Sequence, residues 1–168
     1  WNFDLEIIKN YLKAVSQTSI DIVEIGFRFT KSNQNLGPLA YSNDNYLNKV
    51  NLPKNIKVAV MINGTDYFNN LDFIEKNFKN KKNSKIDIVR IAINIENFFL
   101  VEVISKKLKR KGYKIAINLM QSQFKKTSFI KNLIKSINSW KSCDILYFAD
   151  SLGAMDPIEV ARISKILS

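Results

Sequence analysis

The 168-residue chain contains no histidine and a single cysteine, Cys143. Without histidine the usual Ser-His-Asp arrangement is excluded, and Ser151 reads as a hydrogen-bond donor rather than a nucleophile. Cys143 has no second cysteine to bridge and no Cys or His neighbour with which to hold a metal, so it reads as a core residue. Glycine occurs only five times, and nowhere in a GxGxxG or GxxxxGK spacing, which removes the phosphate loop of a doubly wound nucleotide fold. No apolar run approaches the roughly 20 residues that cross a bilayer, and the opening WNFDLEIIKN lacks the basic-then-apolar plan of a signal peptide. A cytoplasmic protein without membrane contact is expected.

Arginine is scarce as well. The net charge of +11 comes from 26 basic and 15 acidic residues, but the only arginines are Arg28, Arg90, Arg110 and Arg162. Base readout and bidentate phosphate contacts favour Arg over Lys. The lysines gather in stretches such as KNFKNKKNSK and SKKLKRKGYK, which read as solvated faces. No specific nucleic-acid partner is expected. A basic, non-catalytic module for anionic ligands is the alternative that this charge keeps open.

What the chain does have is regular alternation. Apolar residues three and four apart mark helices in DLEIIKNYLKAVSQT, NLDFIEKNF, NFFLVEVISKKLKRK, SFIKNLIKSINSW and PIEVARISKIL. Between them lie the Ile- and Val-rich runs IDIVEIG, IKVAVMIN, IDIVRIAIN, YKIAINLM and DILYFAD. Near-continuous apolar strands, each followed by a helix, predict an α/β fold with a parallel sheet. Gly112 is placed to end a helix, and Asp156 to cap the one that begins at Pro157. Strand starts recur about every 30 residues, the βα repeat of a TIM barrel. Five such units do not close eight strands, so the chain reads as a partial barrel.

In such a barrel the chemistry sits at the C-terminal ends of the strands. Those ends read EIGFR (Glu24, Gly26, Arg28), MINGTD (Asn63, Asp66), RIAIN (Arg90, Asn94), INLMQ (Asn118, Gln121) and FADSLGA (Asp150, Ser151). Alternation along a strand puts Glu24 on one face with Arg28, and Arg90 with Asn94. Glu24 and Arg90 interrupt apolar strands, and an unpaired buried charge is costly, so an ion pair between them is one expectation and ligand binding the other. The parity that buries Leu146 and Phe148 is expected to carry Asp150 inward, toward Glu24 and Asn118. A turn cap is the alternative role for Asp150.

Taken together, IDIVEIGFR, VAVMING, VRIAIN, KGYKIAINLMQ and YFADSLGAMDPIEV resemble the metal-dependent pyruvate-type aldolase and acyl-transfer family. That family includes 4-hydroxy-2-oxovalerate aldolase, HMG-CoA lyase, homocitrate synthase and isopropylmalate synthase. The resemblance covers nearly all of residues 1–168 and implies a single TIM-barrel segment corresponding to family strands two to six, without the first and the last two. It implies a divalent metal, Mn or Mg, held by an Asp of an Arg-Asp motif on the first strand and by a His-x-His motif on the seventh. Neither motif is present, so the ligands are expected outside these residues. The implied reaction is metal-assisted retro-aldol cleavage of a 2-oxo acid, with a Claisen-type acyl transfer as the alternative. By the same resemblance Asp150, Ser151 and Glu24 are the candidate catalytic residues. Arg90, Asn118 and Arg28 are candidate substrate contacts, with Arg90 orienting a carboxylate. A homo-oligomer is compatible with all of this.

Overall fold

A computed structural model describes residues 1–30 and 36–167. The five apolar runs form strands β1 (Ile22–Phe27), β2 (Lys57–Asn63), β3 (Ile88–Asn94), β4 (Lys114–Met120) and β5 (Ile145–Ala149). They pair in parallel in the order β1-β2-β3-β4-β5, as one open sheet. Helices alternate with them: α1 (Leu5–Val15), α2 (Asp44–Leu47), α3 (Gly64–Asn69), α4 (Asp72–Asn77), α5 (Val101–Arg110), α6 (Thr127–Ser139) and α7 (Pro157–Leu167). This is part of a TIM barrel, as the alternating pattern predicts.

The core lies between the sheet and its helices. Val60, Ile62, Val89, Ile91, Ile115, Ile117 and Leu119 are fully buried on the outer face, against Ile74, Ile104, Leu108, Ile130 and Ile137 of the helices. Burial of this kind contributes roughly 1.5–3 kcal/mol per large side chain. Helix ends follow the turn chemistry: Asp156 accepts from Glu159 N at 2.7 Å at the start of α7, and Gly112 takes a positive φ of 94° after α5. Among the described residues no helix is long and apolar enough to cross a membrane.

One local irregularity turns β1. Glu24 is level with Ala59, but Phe27 is level with Met61, so β1 holds one residue more than β2 over that interval. The extra residue is a bulge, and it flips the facing of everything after it. Gly26 makes it possible, because a Cβ there would lie 2.2 Å from Leu39 O.

Candidate functional site

The inner, concave face of the sheet can be laid out from the register alone. Glu24 is level with Ala59, and Ala59 with Ile88, so Arg90 stands two residues farther along β3. Arg90 is level with Ala116, and Ala116 with Ile145, so Tyr147 stands two residues farther along β5. A drift of one residue per strand is the stagger at which eight strands close into a barrel whose interior is layered from alternate strands. Glu24, Arg90 and Tyr147 therefore form one layer. Ile22, Ile88 and Ile145 form the layer two residues below it, with Ala59 and Ala116 between.

Contacts agree with this layering. Arg90 donates through Nε and Nη2 to the two carboxylate oxygens of Glu24, reaching over the small side chain of Ala59. Of the two readings of these charges, the ion pair is present. Burial acts against the Arg90 cation, and the hydrogen-bonded Glu24 carboxylate more than offsets it, so the guanidinium pKa stands raised. The Tyr147 phenol stands near the Arg90 guanidinium, and its ring packs on Ala59, Ile88 and Ala116. Burial raises the pKa of the phenol, while the neighbouring Arg90 acts to lower it.

Above this polar layer the strands carry little bulk. Ala92 and Ala149 occupy the next odd-strand layer, and Met61 and Asn118 the even-strand layer between. Asn118 is 5% exposed, and its Oδ1 is buried without a hydrogen-bond partner among the described residues. A depression of about 330 Å³ opens along the inner face against Glu24, Arg90, Tyr147 and the smaller residues beneath them. It is an apolar-walled hollow with one guanidinium, one phenol and one carboxylate.

The strand-end asparagines are used differently. Asn63 Oδ1 accepts from Thr65 N and Asp66 N at the start of α3. Asn94 Oδ1 accepts from Glu96 N, while its Nδ2 donates to Gln121 Oε1 at 2.5 Å. Gln121 holds a left-handed φ of 64°.

Two expectations about facing are corrected. Arg28 does not share the inner face with Glu24, because the bulge intervenes. Its side chain is 2% exposed and runs into the outer layer, where Nε donates to Ser42 O at 3.1 Å and Nη1 to Asn77 O. Nη2 lies 3.3 Å from Asp44 Oδ1, and the guanidinium stacks over Phe78 at 4.6 Å. Tyr67 donates to Arg28 O at 2.9 Å, and burial pushes the Tyr67 pKa up to about 12. The parity of β5 is also the reverse of that expected. Leu146 and Phe148 are level with Ile117 and Leu119 and join the helix-side core, whereas Tyr147 faces inward. Asp150 follows β5 and is exposed, with its oxygens accepting from Ala154 N at 2.9 Å and Met155 N at 3.0 Å. Those backbone donors hold its pKa below the ordinary carboxylate value. Ser151 is exposed in the same turn.

No protein-family model and no curated protein matches this chain. Two solved structures overlay 99% of it. One is the N-terminal domain of a putative aldolase from Bacteroides vulgatus, with a TM-score of 0.81, 26% identity and 55% of that chain covered. The other is hydroxymethylglutaryl-CoA lyase from Pseudomonas aeruginosa, with a TM-score of 0.70, 7% identity and 58% of that chain covered. The fold is lyase-like. The chain spans just over half the length of each of these neighbours, and at 7% identity the second likeness is one of fold alone.

A metal does not follow from the residues described. Among them no three of His, Cys, Asp and Glu gather into a site. Glu24 is taken up by Arg90, and Asp150 by its turn.

Tyr147 is the inner-face residue that reading the strands missed. The signal was present, since it is the only side chain in ILYFA able to form a hydrogen bond.

Proposed function

We propose that this chain forms part of a carbon-carbon lyase of the aldolase type acting on a small 2-oxo acid. The observation that carries the reading is the polar layer of Glu24, Arg90 and Tyr147 on the inner face, in a chain whose fold overlays a domain described as that of an aldolase. Arg90 would hold the substrate carboxylate by its planar fork, with Glu24 fixing the guanidinium in place. Asn118 would line the wall beside it. Cleavage breaks the bond between C3 and C4 of a 4-hydroxy-2-oxo acid. The hydroxyl proton passes to a base, the C3–C4 electron pair becomes the enolate of the released 2-oxo acid, and protonation at C3 completes that product beside the aldehyde. A cation at the carboxylate end anchors the substrate and draws charge toward the enolate oxygen.

The test is release of pyruvate from 4-hydroxy-2-oxovalerate, followed by proton NMR, with and without added Mg or Mn. Turnover that falls about a hundredfold in kcat/KM in Arg90→Met is the expected result. A folded protein that releases no 2-oxo acid from this or longer homologues under either condition overturns the reading.

A further inference from the structure

A repeat of two strands runs through the sheet, and its first member is incomplete. The odd strands open with one short sequence: IDIV at 20–23, IDIV at 86–89 and CDIL at 143–146. The even strands open with another, KVAV at 57–60 and KIAI at 114–117. Asp87 and Asp144 each grip one residue of the even strand that precedes them. Asp87 N donates to Val58 O at 2.8 Å, and Val58 N donates back to Asp87 Oδ2 at 2.9 Å. Asp144 N donates to Ile115 O at 2.9 Å, and Ile115 N donates back to Asp144 Oδ2 at 2.7 Å. Toward the following strand, the Asp carbonyl accepts from the lysine that opens it: Lys114 N to Asp87 O at 3.0 Å, and Lys57 N to Asp21 O at 2.9 Å. Asp21 therefore holds the place in β1 that Asp87 holds in β3, but β1 is an edge of the sheet. Asp21 is exposed, and neither its N–H nor its carboxylate has a partner among the described residues.

We infer that Asp21 is a docking residue for an added strand that runs parallel to β1 and reads Lys-apolar-Ala-apolar, with Val or Ile at the apolar places. Asp21 grips the first apolar residue of that strand by its N–H and C=O, as Asp87 grips Val58 and Asp144 grips Ile115. Alternation then turns the Ala inward, as with Ala59 and Ala116, and both apolar side chains outward. On the outward side β1 is flanked by a hollow of about 350 Å³, lined by Phe3, Ile7 and Tyr11 and by Ile25 and Leu39. Phe3, Ile7 and Tyr11 are each more than half exposed, so this wall lacks its cover. Strand addition at an open edge takes affinity from main-chain bonds and register from pockets for alternate side chains. The other open edge, β5, carries Ile145 and Tyr147 inward and no small residue before Ala149, so a second copy does not supply the pattern. The partial-barrel reading calls for a strand beside β1; the repeat adds the residue that holds it and the sequence it carries. No catalytic activity of the chain is assumed.

The probe is the peptide GYKIAINLMQ, residues 112–121, which carries the even-strand pattern. Titrated into the full chain at a concentration where sedimentation shows monomer, it should bind saturably by NMR, with the Asp21 amide among the resonances that move. Asp21→Ala should weaken binding about tenfold or more, the scale of a hydrogen bond to a charged acceptor. A peptide N-methylated at the Ile that corresponds to Ile115 should lose as much on the wild type, a readout that stands if the variant fails to fold. Melting without peptide separates the three aspartates: Asp21→Ala should melt as the wild type does, whereas Asp87→Ala and Asp144→Ala, whose grips are closed, should melt lower. A spin label at the peptide N-terminus should broaden resonances near Asp21 rather than near Phe27, as a parallel strand requires. Absence of saturable binding, wild-type affinity in Asp21→Ala, undiminished binding of the methylated peptide or the antiparallel label pattern overturns the inference. So does self-association that Asp21→Ala abolishes and saturating peptide leaves unchanged, because a second copy would then be the occupant.

Discussion

At the scale of single residues, Asp150 and Glu24 show how one side-chain type serves two ends. Asp150 draws its partners from the backbone of its own turn. Its folded pKa lies below the ordinary Asp value of about 3.9, so its contribution is complete above that value and is lost as pH falls through the folded pKa. Asp150→Ala should accordingly melt lower than the wild type at pH 7, with the two curves converging as the pH falls below the folded pKa. A melting difference that does not change with pH would remove the ionised carboxylate from the explanation. Glu24 instead faces a cation, with 30% of the Glu24 side chain exposed. Glu24→Gln should cost about 1–2 kcal/mol in urea denaturation, between the value of an exposed pair and that of a buried one; an unchanged midpoint would mean that the pair serves orientation alone. The Glu24–Arg90 contact was readable from sequence, because two charges interrupting apolar strands require partners. Tyr147 offered only its hydroxyl as a signal, and an aromatic inside an apolar run reads as core until its facing is known.

At the scale of elements, the presence of each strand was easy to read and its phase was not. In β3 the polar members Arg90 and Asn94 mark one face, and the expected parity holds. In β5 the residues Ile145 to Phe148 are apolar on both faces, so a period of two has nothing to lock onto. In β1 the phase is correct up to Glu24 and wrong at Arg28, because no residue pattern announces the bulge. The short helices α2 and α3 also escaped notice, being a single turn or little more. Gly26→Ala should destabilise the protein by about 2–5 kcal/mol through clash with Leu39 O and the φ of 156°. Asp44→Asn should cost about 3–5 kcal/mol by stranding the buried Arg28 cation. Chemical denaturation reads both, and a loss below 1 kcal/mol in Asp44→Asn would show that Ser42 O and Asn77 O satisfy Arg28 by themselves.

At the scale of the whole molecule, β1 and β5 are the two edges of the sheet, and Ile22 and Ile145 stand exposed on them at 40% and 37%. Exposed apolar edge strands invite pairing. The isolated chain should self-associate in a concentration-dependent way by sedimentation velocity, and Ile22→Lys with Ile145→Lys should shift it toward monomer; an unassociated wild type at high concentration would show that the edges are protected. The outer and inner faces of the sheet meanwhile answer to different demands. The outer rows need only be apolar and of suitable size, and they carry most of the folding energy, whereas the inner rows carry the polar groups Glu24, Arg90 and Asn118. Saturation mutagenesis scored for abundance should therefore alternate along β3, intolerant at Val89, Ile91 and Ile93 and more permissive at Ala92 between the last two. The same division suits a backbone shared by unlike sequences, as the overlay at 7% identity shows: when packing is confined to one face of each strand, the side chains of the other face can differ widely on the same frame.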